Sequence, residues 1–368
     1  MSAAVSPPAP SGRTPAPAPG AGATATTASL AERVVTWQRT QGRHGLPWQR
    51  ERDPYRVWLS EIMLQQTQVS TVLAYYARFL ERFPDVAALA RAALDDVLAA
   101  WAGLGYYSRA RNLHRCAQAV MAEHGGRFPA SAEQLATLPG IGRSTAAAIA
   151  AFCFGERAAI LDGNVKRVLT RVLGFSADLA VARHERDLWA RACELLPPAS
   201  ADMPTYTQGL MDLGATVCLA RKPNCLLCPL QGDCVARREG RPEVYPVKTR
   251  KLKRTRREHW WLWLEHAGAV WLQQRPATGV WAGLWSLPLL DDEAALGAVV
   301  QRWRVPVEPQ PLIEHALTHF DWTLHPRRAV LDSAEGVEAA LGPGRWIALD
   351  ALDTVGLPAP LKKLLAAR

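Results

Sequence analysis

Two carboxylates in contrasting surroundings are the first candidates for chemistry. Glu61 lies in Trp58-Leu-Ser-Glu-Ile-Met-Leu64, with apolar residues on both sides. Such flanks desolvate a carboxyl group and raise its pKa, which suits a general acid near neutral pH. Asp162 precedes a helical pattern, where it would act as an N-cap and stay ionised near the helix N-terminus. A surface glutamate and a simple capping aspartate are the plainer interpretations, but an acid beside a carboxylate is what glycosidic bond cleavage requires.

Four of the seven cysteines are crowded into one short segment. Their spacing is Cys218-x6-Cys225-x2-Cys228-x5-Cys234. Four thiols this close predict a metal centre rather than unrelated buried cysteines or the dispersed pairs of a secreted protein. Both zinc and a [4Fe–4S] cluster use four cysteines, and the chemistry of the ligands does not choose between them.

A glycine-containing turn separates two helical patterns at Leu138-Pro-Gly-Ile-Gly-Arg-Ser144. Gly140 and Gly142 let the backbone turn sharply and approach a partner closely. Because a helix follows at once, its free N–H groups up to Ser144 form a candidate anion site. An ordinary corner between two helices is the alternative.

The elements that must position these residues change in character along the chain. From Leu30 to about Gly240 the pattern is helical, as in Asp53-Pro54, which reads as an N-cap followed by the first helical residue. Strand-like runs follow at His259–Leu264 and Ala269–Leu272 and near 320–324 and 345–347, with a helix at 361–367. We therefore predict an all-α domain followed by a smaller α+β domain.

Length and composition agree with two domains and a polyanionic partner. The 368 residues carry a formal net charge of +9. Residues 1–28 are almost entirely Ala, Pro, Ser, Thr and Gly, which predicts a disordered tail without a signal peptide. Seven of the ten residues in 248–257 are basic, typical of an exposed linker, near phosphates or merely solvated. The predicted units are 1–28, 29–243, 244–258 and 259–368, and no apolar run is long enough to span a membrane.

Several segments resemble the MutY-type adenine DNA glycosylases of the helix-hairpin-helix, endonuclease III superfamily. The resemblance runs from about Val34 to Cys234 in the family's order. The matching segments are Leu46-Pro-Trp48, Trp58–Gln68, Gly103–His114, Leu138–Thr145 and Leu161–Val168. The cysteine spacing, which follows Thr207–Ala215, resembles the loop that binds a [4Fe–4S] cluster in this superfamily.

The resemblance implies a role for each residue of a base-excision site. Glu61 would protonate N7 of adenine and later activate water, and Asp162 would stabilise the sugar cation or bond briefly to its anomeric carbon. Asn164 would orient groups around the sugar. Leu46 and Trp48 would line the adenine pocket.

It also implies how DNA is held. Gln66 and Tyr106 would wedge into the base stack while adenine is flipped out. The backbone around Gly140, Gly142 and Ser144 would hold a phosphate, with help from a monovalent cation. In endonuclease III a lysine stands where this chain has Ser144, and serine forms no imine. A monofunctional glycosylase follows, with Lys166 as the amine that would allow a weak lyase background.

The second domain resembles the Nudix-like domain with which this family reads 8-oxoguanine. The resemblance lies in Gly279–Trp285 and Gly356–Leu365, and the metal-binding Nudix hydrolase box is absent. Where the family often has Phe-Ser-His, this chain has Leu317-Thr-His319, so Thr318 and His319 are the implied contacts to 8-oxoguanine.

The sequence thus predicts a monomeric, cytoplasmic bacterial enzyme associated with the nucleoid. Its partner would be double-stranded DNA containing A:8-oxoguanine or A:G, with no membrane involved. Two alternatives are a bifunctional glycosylase–lyase for oxidised pyrimidines and a non-catalytic DNA-binding module stabilised by metal. Ser144 and the second domain argue against the first, and the matched contexts of Glu61 and Asp162 argue against the other.

Overall fold

The computed structural model describes residues 28–249 and 253–367. The first domain is helical, as predicted. Its helices are α1 (Leu30–Gln41), α2 (Pro54–Leu64), α3 (Val69–Arg82), α4 (Val86–Arg91), α5 (Leu94–Trp101), α6 (Ser108–His124), α7 (Ala132–Leu135), α8 (Arg143–Ile149), α9 (Gly163–Leu173), α10 (Ala182–Glu194), α11 (Met203–Asp212) and α12 (Val235–Arg238). The tail predicted at the N-terminus and the middle of the basic segment lie outside the described residues.

Local signals explain where the helices begin. Asp53 caps α2, its side chain accepting the Arg56 N–H at 2.9 Å, and Pro54 is the first helical residue, as predicted. Asp162 caps α9 in the same way. Among the described residues, no helix has both the length and the apolar character needed to cross a membrane.

The second domain is built on one mixed sheet. Its strands are β1 (Thr255–His266), β2 (Ala269–Gln274), β3 (Trp285–Ser286), β4 (Leu289–Leu290), β5 (Glu308–Pro309), β6 (Ile313–Ala316), β7 (Phe320–Val330) and β8 (Arg345–Ala348). The long strands β1 and β7 run parallel at its centre, flanked by β2, β3 and β5 in the order β3-β2-β1-β7-β5, while β4, β6 and β8 pair with β1, β7 and β2. Three helices complete the domain: α13 (Glu293–Val300), α14 (Val337–Leu341) and α15 (Ala359–Ala366).

The central strands are longer than their sequence patterns indicated. β1 begins at Thr255, inside the segment predicted as a linker, because its backbone is paired with β7 from Phe320 onward. Pairing between segments distant in sequence decides where such a strand begins, and alternation of side chains does not report it. The last basic residues of that segment therefore lie on the sheet.

The two domains contact each other through both apolar and polar groups. The Tyr107 hydroxyl donates to the Leu357 carbonyl at 3.0 Å, and Arg111 Nη1 donates to the Ala282 carbonyl at 2.6 Å. One apolar core runs through both domains, with Leu98 and Leu357 among its buried members. The loop that contains Tyr106 and Tyr107 is thus attached directly to the second domain.

Two helical glycines give a matched test of this packing. A Cβ on Gly209 would lie 2.7 Å from Val34 Cγ1, because α1 and α11 pack closely there, whereas a Cβ on Gly297 in α13 would meet open space. We expect Gly209→Ala to lower the apparent midpoint of thermal unfolding, at a cost of about 1–3 kcal/mol for overpacking. Gly297→Ala should instead stabilise the protein by about 0.5–1 kcal/mol through helix propensity. Equal effects of the two substitutions would contradict the close packing of α1 on α11.

Candidate active site

Glu61 faces a cavity of about 220 Å³ in the first domain. Burial, with a smaller contribution from the nearby Asp162 carboxylate, raises the pKa of Glu61 to about 8. Glu61 is therefore a neutral acid at pH 7, as its apolar flanks predicted. Besides Trp48, the wall of the cavity includes Gln38, Arg43, Gln49, Arg52, Phe152 and Gln208.

The predicted base-pocket residues separate in the structure. Trp48 lines the cavity of Glu61, while Leu46 is absent from its wall and packs against the core of the first domain. Leu46 immediately precedes the 3₁₀ turn formed by Pro47–Gln49, and this turn directs Trp48 and Gln49 to the cavity. The polar lining residues Arg43 and Gln208 were missed, because nothing in their local sequence distinguishes them from surface residues.

Asp162 caps α9, as its position predicted. Its side chain accepts the Val165 N–H at 2.7 Å and so caps α9. Burial raises the pKa of Asp162, and the backbone N–H groups of Val165 and Asn164 oppose that rise. The helix N-terminus lowers the cost of a charge here without cancelling the desolvation.

Asn164 is held by Arg167, three residues further along α9. Its Oδ1 accepts from Arg167 Nη2 at 2.8 Å, and Arg167 also donates to the carbonyls of Gly214 and Cys218 at 2.6 and 2.8 Å. A Cβ on Gly214 would lie 2.7 Å from the Asn164 Cβ, so only glycine fits at this contact. The residues beside Asp162 are therefore held by the segment that leads into the cysteine loop.

The four cysteines of that loop line one cavity, together with apolar side chains of α9 such as Val168 and Val172. Burial raises the pKa of Cys228 to about 11, and the other three thiols each add to the rise, which places all four in one group. All four are free cysteines and form no disulfide with one another. These four thiols around one cavity are the groups that would hold a four-thiolate cluster, whose positive metal ions would stabilise the thiolate forms.

Arg171 attaches the cysteine loop to α9. The residue is only 2% exposed, and its guanidinium donates to Cys218 Sγ at 3.3 Å and to the Leu219 and Ala220 carbonyls at 2.6 and 3.0 Å. Its Nε also donates to the Tyr245 carbonyl at 3.3 Å. One buried side chain thus holds the start of the loop and the segment that follows α12.

The two predicted wedge residues are both brought to the surface in strained backbone conformations. Gln66 has φ +56° and Tyr106 has φ +48°, the left-handed region that non-glycine residues rarely adopt. The Tyr106 ring is 48% exposed. They come from separate segments, the end of α2 and the loop before α6.

Arg109, which sequence reasoning missed, joins these two segments. It is 7% exposed, and burial lowers its pKa to about 10. Its guanidinium donates to the carbonyls of Ile62, Met63, Gln65, Leu104 and Gly105 and to Thr67 Oγ1. One cation therefore holds both wedge segments, and no signal in the sequence marks it apart from its place in the segment 103–114.

The glycine turn has the sharp geometry that the sequence predicted. Gly140 has φ +78°, and a Cβ there would lie 2.6 Å from the Asn112 Cβ. Both the backbone conformation and this close contact therefore require glycine. Gly142 caps α8 and faces open space. Ser144 Oγ accepts the Leu161 N–H at 3.0 Å, which ties the turn to the residue before Asp162.

Thr318 and His319 lie far from these groups in sequence and are exposed at the turn between β6 and β7. The preceding Leu317 is partly buried against the core. The Arg257 guanidinium lies 4.3 Å from the centre of the neighbouring Phe320 ring, so the turn adjoins the basic end of β1.

Comparison with protein-family models agrees with this division of the chain. Residues 59–193 match the HhH-GPD superfamily of base excision DNA repair proteins, and residues 218–234 match the iron–sulfur binding domain of endonuclease III. Residues 259–367 match the NUDIX domain. The first domain is therefore that of a base excision DNA glycosylase. The cysteine loop binds an iron–sulfur cluster rather than zinc, and in this superfamily the cluster is [4Fe–4S].

Relatives that match about nine tenths of the chain identify its family more closely. The chain is 32% identical to the adenine DNA glycosylase of Buchnera aphidicola subsp. Schizaphis graminum, over 91% of this chain and 97% of the relative. It is 33% identical to the adenine DNA glycosylase of Homo sapiens, over 90% of this chain and 72% of the relative. The chain belongs to the adenine DNA glycosylase family.

A solved structure shows that the fold alone does not specify the base. A thermostable thymine-DNA glycosylase is similar over 57% of this chain and 95% of its own, with 28% sequence identity and a TM-score of 0.51. Specificity for the base must therefore come from particular side chains rather than from the fold.

The contacts of Arg171 predict how firmly the cluster is held. Arg171→Lys replaces a planar fork of donors by a single ammonium group, so buried carbonyls of the loop lose their partners at about 1–3 kcal/mol each. We expect faster loss of iron to a chelator and a lower unfolding midpoint. Arg238→Lys, an exposed change near the same loop, is the control. Identical rates of iron release from the two variants would exclude Arg171 as an anchor.

Proposed function

We propose that this chain removes adenine from double-stranded DNA in which adenine is mispaired with 8-oxoguanine or guanine. The observation that carries the proposal is the buried Glu61 acid, neutral at physiological pH, which faces a cavity close to the Asp162 carboxylate. Membership of the adenine DNA glycosylase family supports adenine as the base.

The chemistry follows from the different demands on the two carboxyl groups. Adenine is a poor leaving group, and a proton delivered by Glu61 to N7 lets it depart with the electrons of the glycosidic bond. The deoxyribose that remains is an oxocarbenium-like cation, which the Asp162 carboxylate stabilises. Water activated by the resulting Glu61 carboxylate completes the hydrolysis and returns the proton. Asn164, held by Arg167, supports the sugar side of the site.

The exposed elements of the first domain suit a flipped base. Gln66 and Tyr106 would fill the space that adenine leaves in the stack, and Arg109 holds them in their strained conformations. The backbone at Gly140, Gly142 and Ser144 would bind a phosphate, with a monovalent cation as the expected aid. A [4Fe–4S] cluster on the four thiolates would cross-link the loop that packs against α9.

The polar contacts favour a monofunctional enzyme over a glycosylase–lyase. Ser144 offers no amine, and its hydroxyl is engaged by the Leu161 N–H. The Lys166 ammonium forms an ion pair with Glu185. The abasic strand should therefore remain intact until alkali is added.

The second domain would read the base opposite adenine. Thr318 and His319 are exposed at one turn and offer hydrogen-bonding groups beside the basic end of β1. We expect the enzyme to act as a monomer, with both domains against one duplex.

Glu61→Gln tests the catalytic assignment. The amide cannot deliver a proton, so adenine release in single turnovers should fall by roughly 10²–10⁴-fold while binding of the duplex persists. In the wild type, the rate should fall as pH rises through about 8, because Glu61 then loses its proton. It should also fall in acid, as Asp162 becomes protonated through its raised pKa. The Glu61→Gln variant should lack this fall in rate at alkaline pH.

Glu51→Gln is the matched control, because Glu51 borders the same cavity but is exposed. It should keep both the rate and the pH profile. A Glu61→Gln variant slowed less than about tenfold would remove Glu61 as the general acid.

Replacing Thr318 and His319 together by alanine tests recognition of the opposite base. Each good base contact provides roughly 1–3 kcal/mol of discrimination, so the preference for A:8-oxoguanine over A:G should fall about tenfold or more. Single-turnover rates on the two duplexes measure it. Thr354→Ala, at another exposed threonine of this domain, should leave the preference unchanged. An unaltered preference in the double variant would place lesion recognition in the first domain.

A further inference from the structure

Asp212, at the end of α11, is a fully buried carboxylate that the chemistry above does not use. Asp212 accepts two hydrogen bonds from Arg43, from the backbone N–H to Oδ2 at 2.8 Å and from Nε to Oδ1 at 2.7 Å, and Arg43 Nη2 lies 2.7 Å from Oδ1 in an ion pair. It also accepts from Gln208 Nε2 at 2.7 Å. Both partners lie on the wall of the Glu61 cavity. One buried carboxylate therefore holds two of the polar groups that a flipped base would meet.

This arrangement determines which atoms face the base. A carboxylate has acceptors alone, so the Gln208 amide must turn its NH₂ group to Asp212 and keep its carbonyl oxygen Oε1 for the cavity. Arg43 directs Nε and Nη2 to Asp212 Oδ1, so Nη1 is the guanidinium nitrogen on the side away from the carboxylate, on a residue that lines the cavity. The wall thus offers an acceptor from Gln208 beside a donor from Arg43.

A comparison with Gln49 shows that only Gln208, of these two glutamines, has one end of its amide left for the cavity. Gln49 borders the same cavity, but its Oε1 accepts the Leu46 N–H at 3.1 Å and its Nε2 donates to the Arg43 carbonyl at 3.0 Å. Both ends of that amide are occupied by backbone. Gln208 has one end held and the other end left for the cavity.

We propose that Asp212 is a positioning residue that makes the cavity select a 6-aminopurine over a 6-oxopurine. This inference rests on the proposed adenine excision. The Watson–Crick edge of adenine offers a 6-amino donor beside the N1 acceptor, which complements Gln208 Oε1 and Arg43 Nη1. Hypoxanthine differs by a 6-oxo acceptor beside an N1–H donor, so each of its groups meets a group of the same kind. Buried polar groups left unpaired in this way are costly, and such sites discriminate strongly.

Asp212→Asn tests the idea with little change in shape. Asp212 Oδ1 accepts from both Arg43 and Gln208, and Oδ2 accepts the Arg43 backbone N–H. Whichever oxygen the asparagine NH₂ group replaces, it meets a donor of Arg43, so Arg43 and Gln208 are no longer held in their wild-type orientations. We expect the ratio of single-turnover rates for adenine and for hypoxanthine, each placed opposite 8-oxoguanine, to fall about tenfold or more. The ratio is the informative quantity, because general damage to the fold would slow both substrates together.

A double-substitution cycle separates positioning from structure. Gln208→Leu removes the acceptor and should lower the ratio by itself. Asp212→Asn added to Gln208→Leu should change the ratio less than it does in the wild type, because the part of its effect that passes through Gln208 is already lost and only the part through Arg43 remains. The proposal is overturned if Asp212→Asn keeps the wild-type ratio, or if it alters the ratio equally in both backgrounds. If Asp212→Asn does not fold, Gln208→Leu becomes the test, and an unchanged ratio in that variant overturns the proposal. Failure of the wild type to release adenine would instead refute the proposed function.

Discussion

The desolvation of Glu61 is the constraint on which the rest of the first domain depends. Desolvation raises the pKa of this carboxyl group to about 8, and the neighbouring side chains of α2, such as Trp58 and Ile62, are buried. A second carboxylate close by makes ionisation of Glu61 less favourable still, while the helix N-terminus reduces the cost of charge at Asp162. Two chemically similar groups thereby acquire different roles.

Helix α9 connects that site to the cysteine loop. It begins with Asp162 as its cap, and on the following turns Arg167 and Arg171 donate to backbone carbonyls of the segment from Gly214 to Ala220. A [4Fe–4S] cluster on the loop would therefore brace the same helix that places the Asp162 carboxylate. The loop is part of the support of the active site even though it contributes no side chain to the cavity.

The DNA-facing side depends on stored strain that other contacts offset. A non-glycine residue at positive φ costs about 1–3 kcal/mol, and Gln66 and Tyr106 both adopt such conformations. The six hydrogen bonds of Arg109 hold the two segments together, and the Tyr107 hydroxyl attaches one of them to the second domain. A rearrangement of the second domain would therefore be transmitted to the segments that contain Gln66 and Tyr106.

The sequence by itself determined what depends on near neighbours: the cap at Asp162, the glycine turn, the cysteine spacing, the apolar flanks of Glu61 and the change from helices to strands. The sequence did not determine the contacts between segments that lie far apart along the chain. The tertiary structure decided that Asp162 lies near Glu61, that Leu46 packs against the core while Trp48 lines the Glu61 cavity, and that β1 begins within the basic segment. It also revealed Arg109 and Asp212. Their roles come from carbonyls and side chains tens to hundreds of residues away, and hydrogen bonds of that kind leave no periodic or local trace in a sequence.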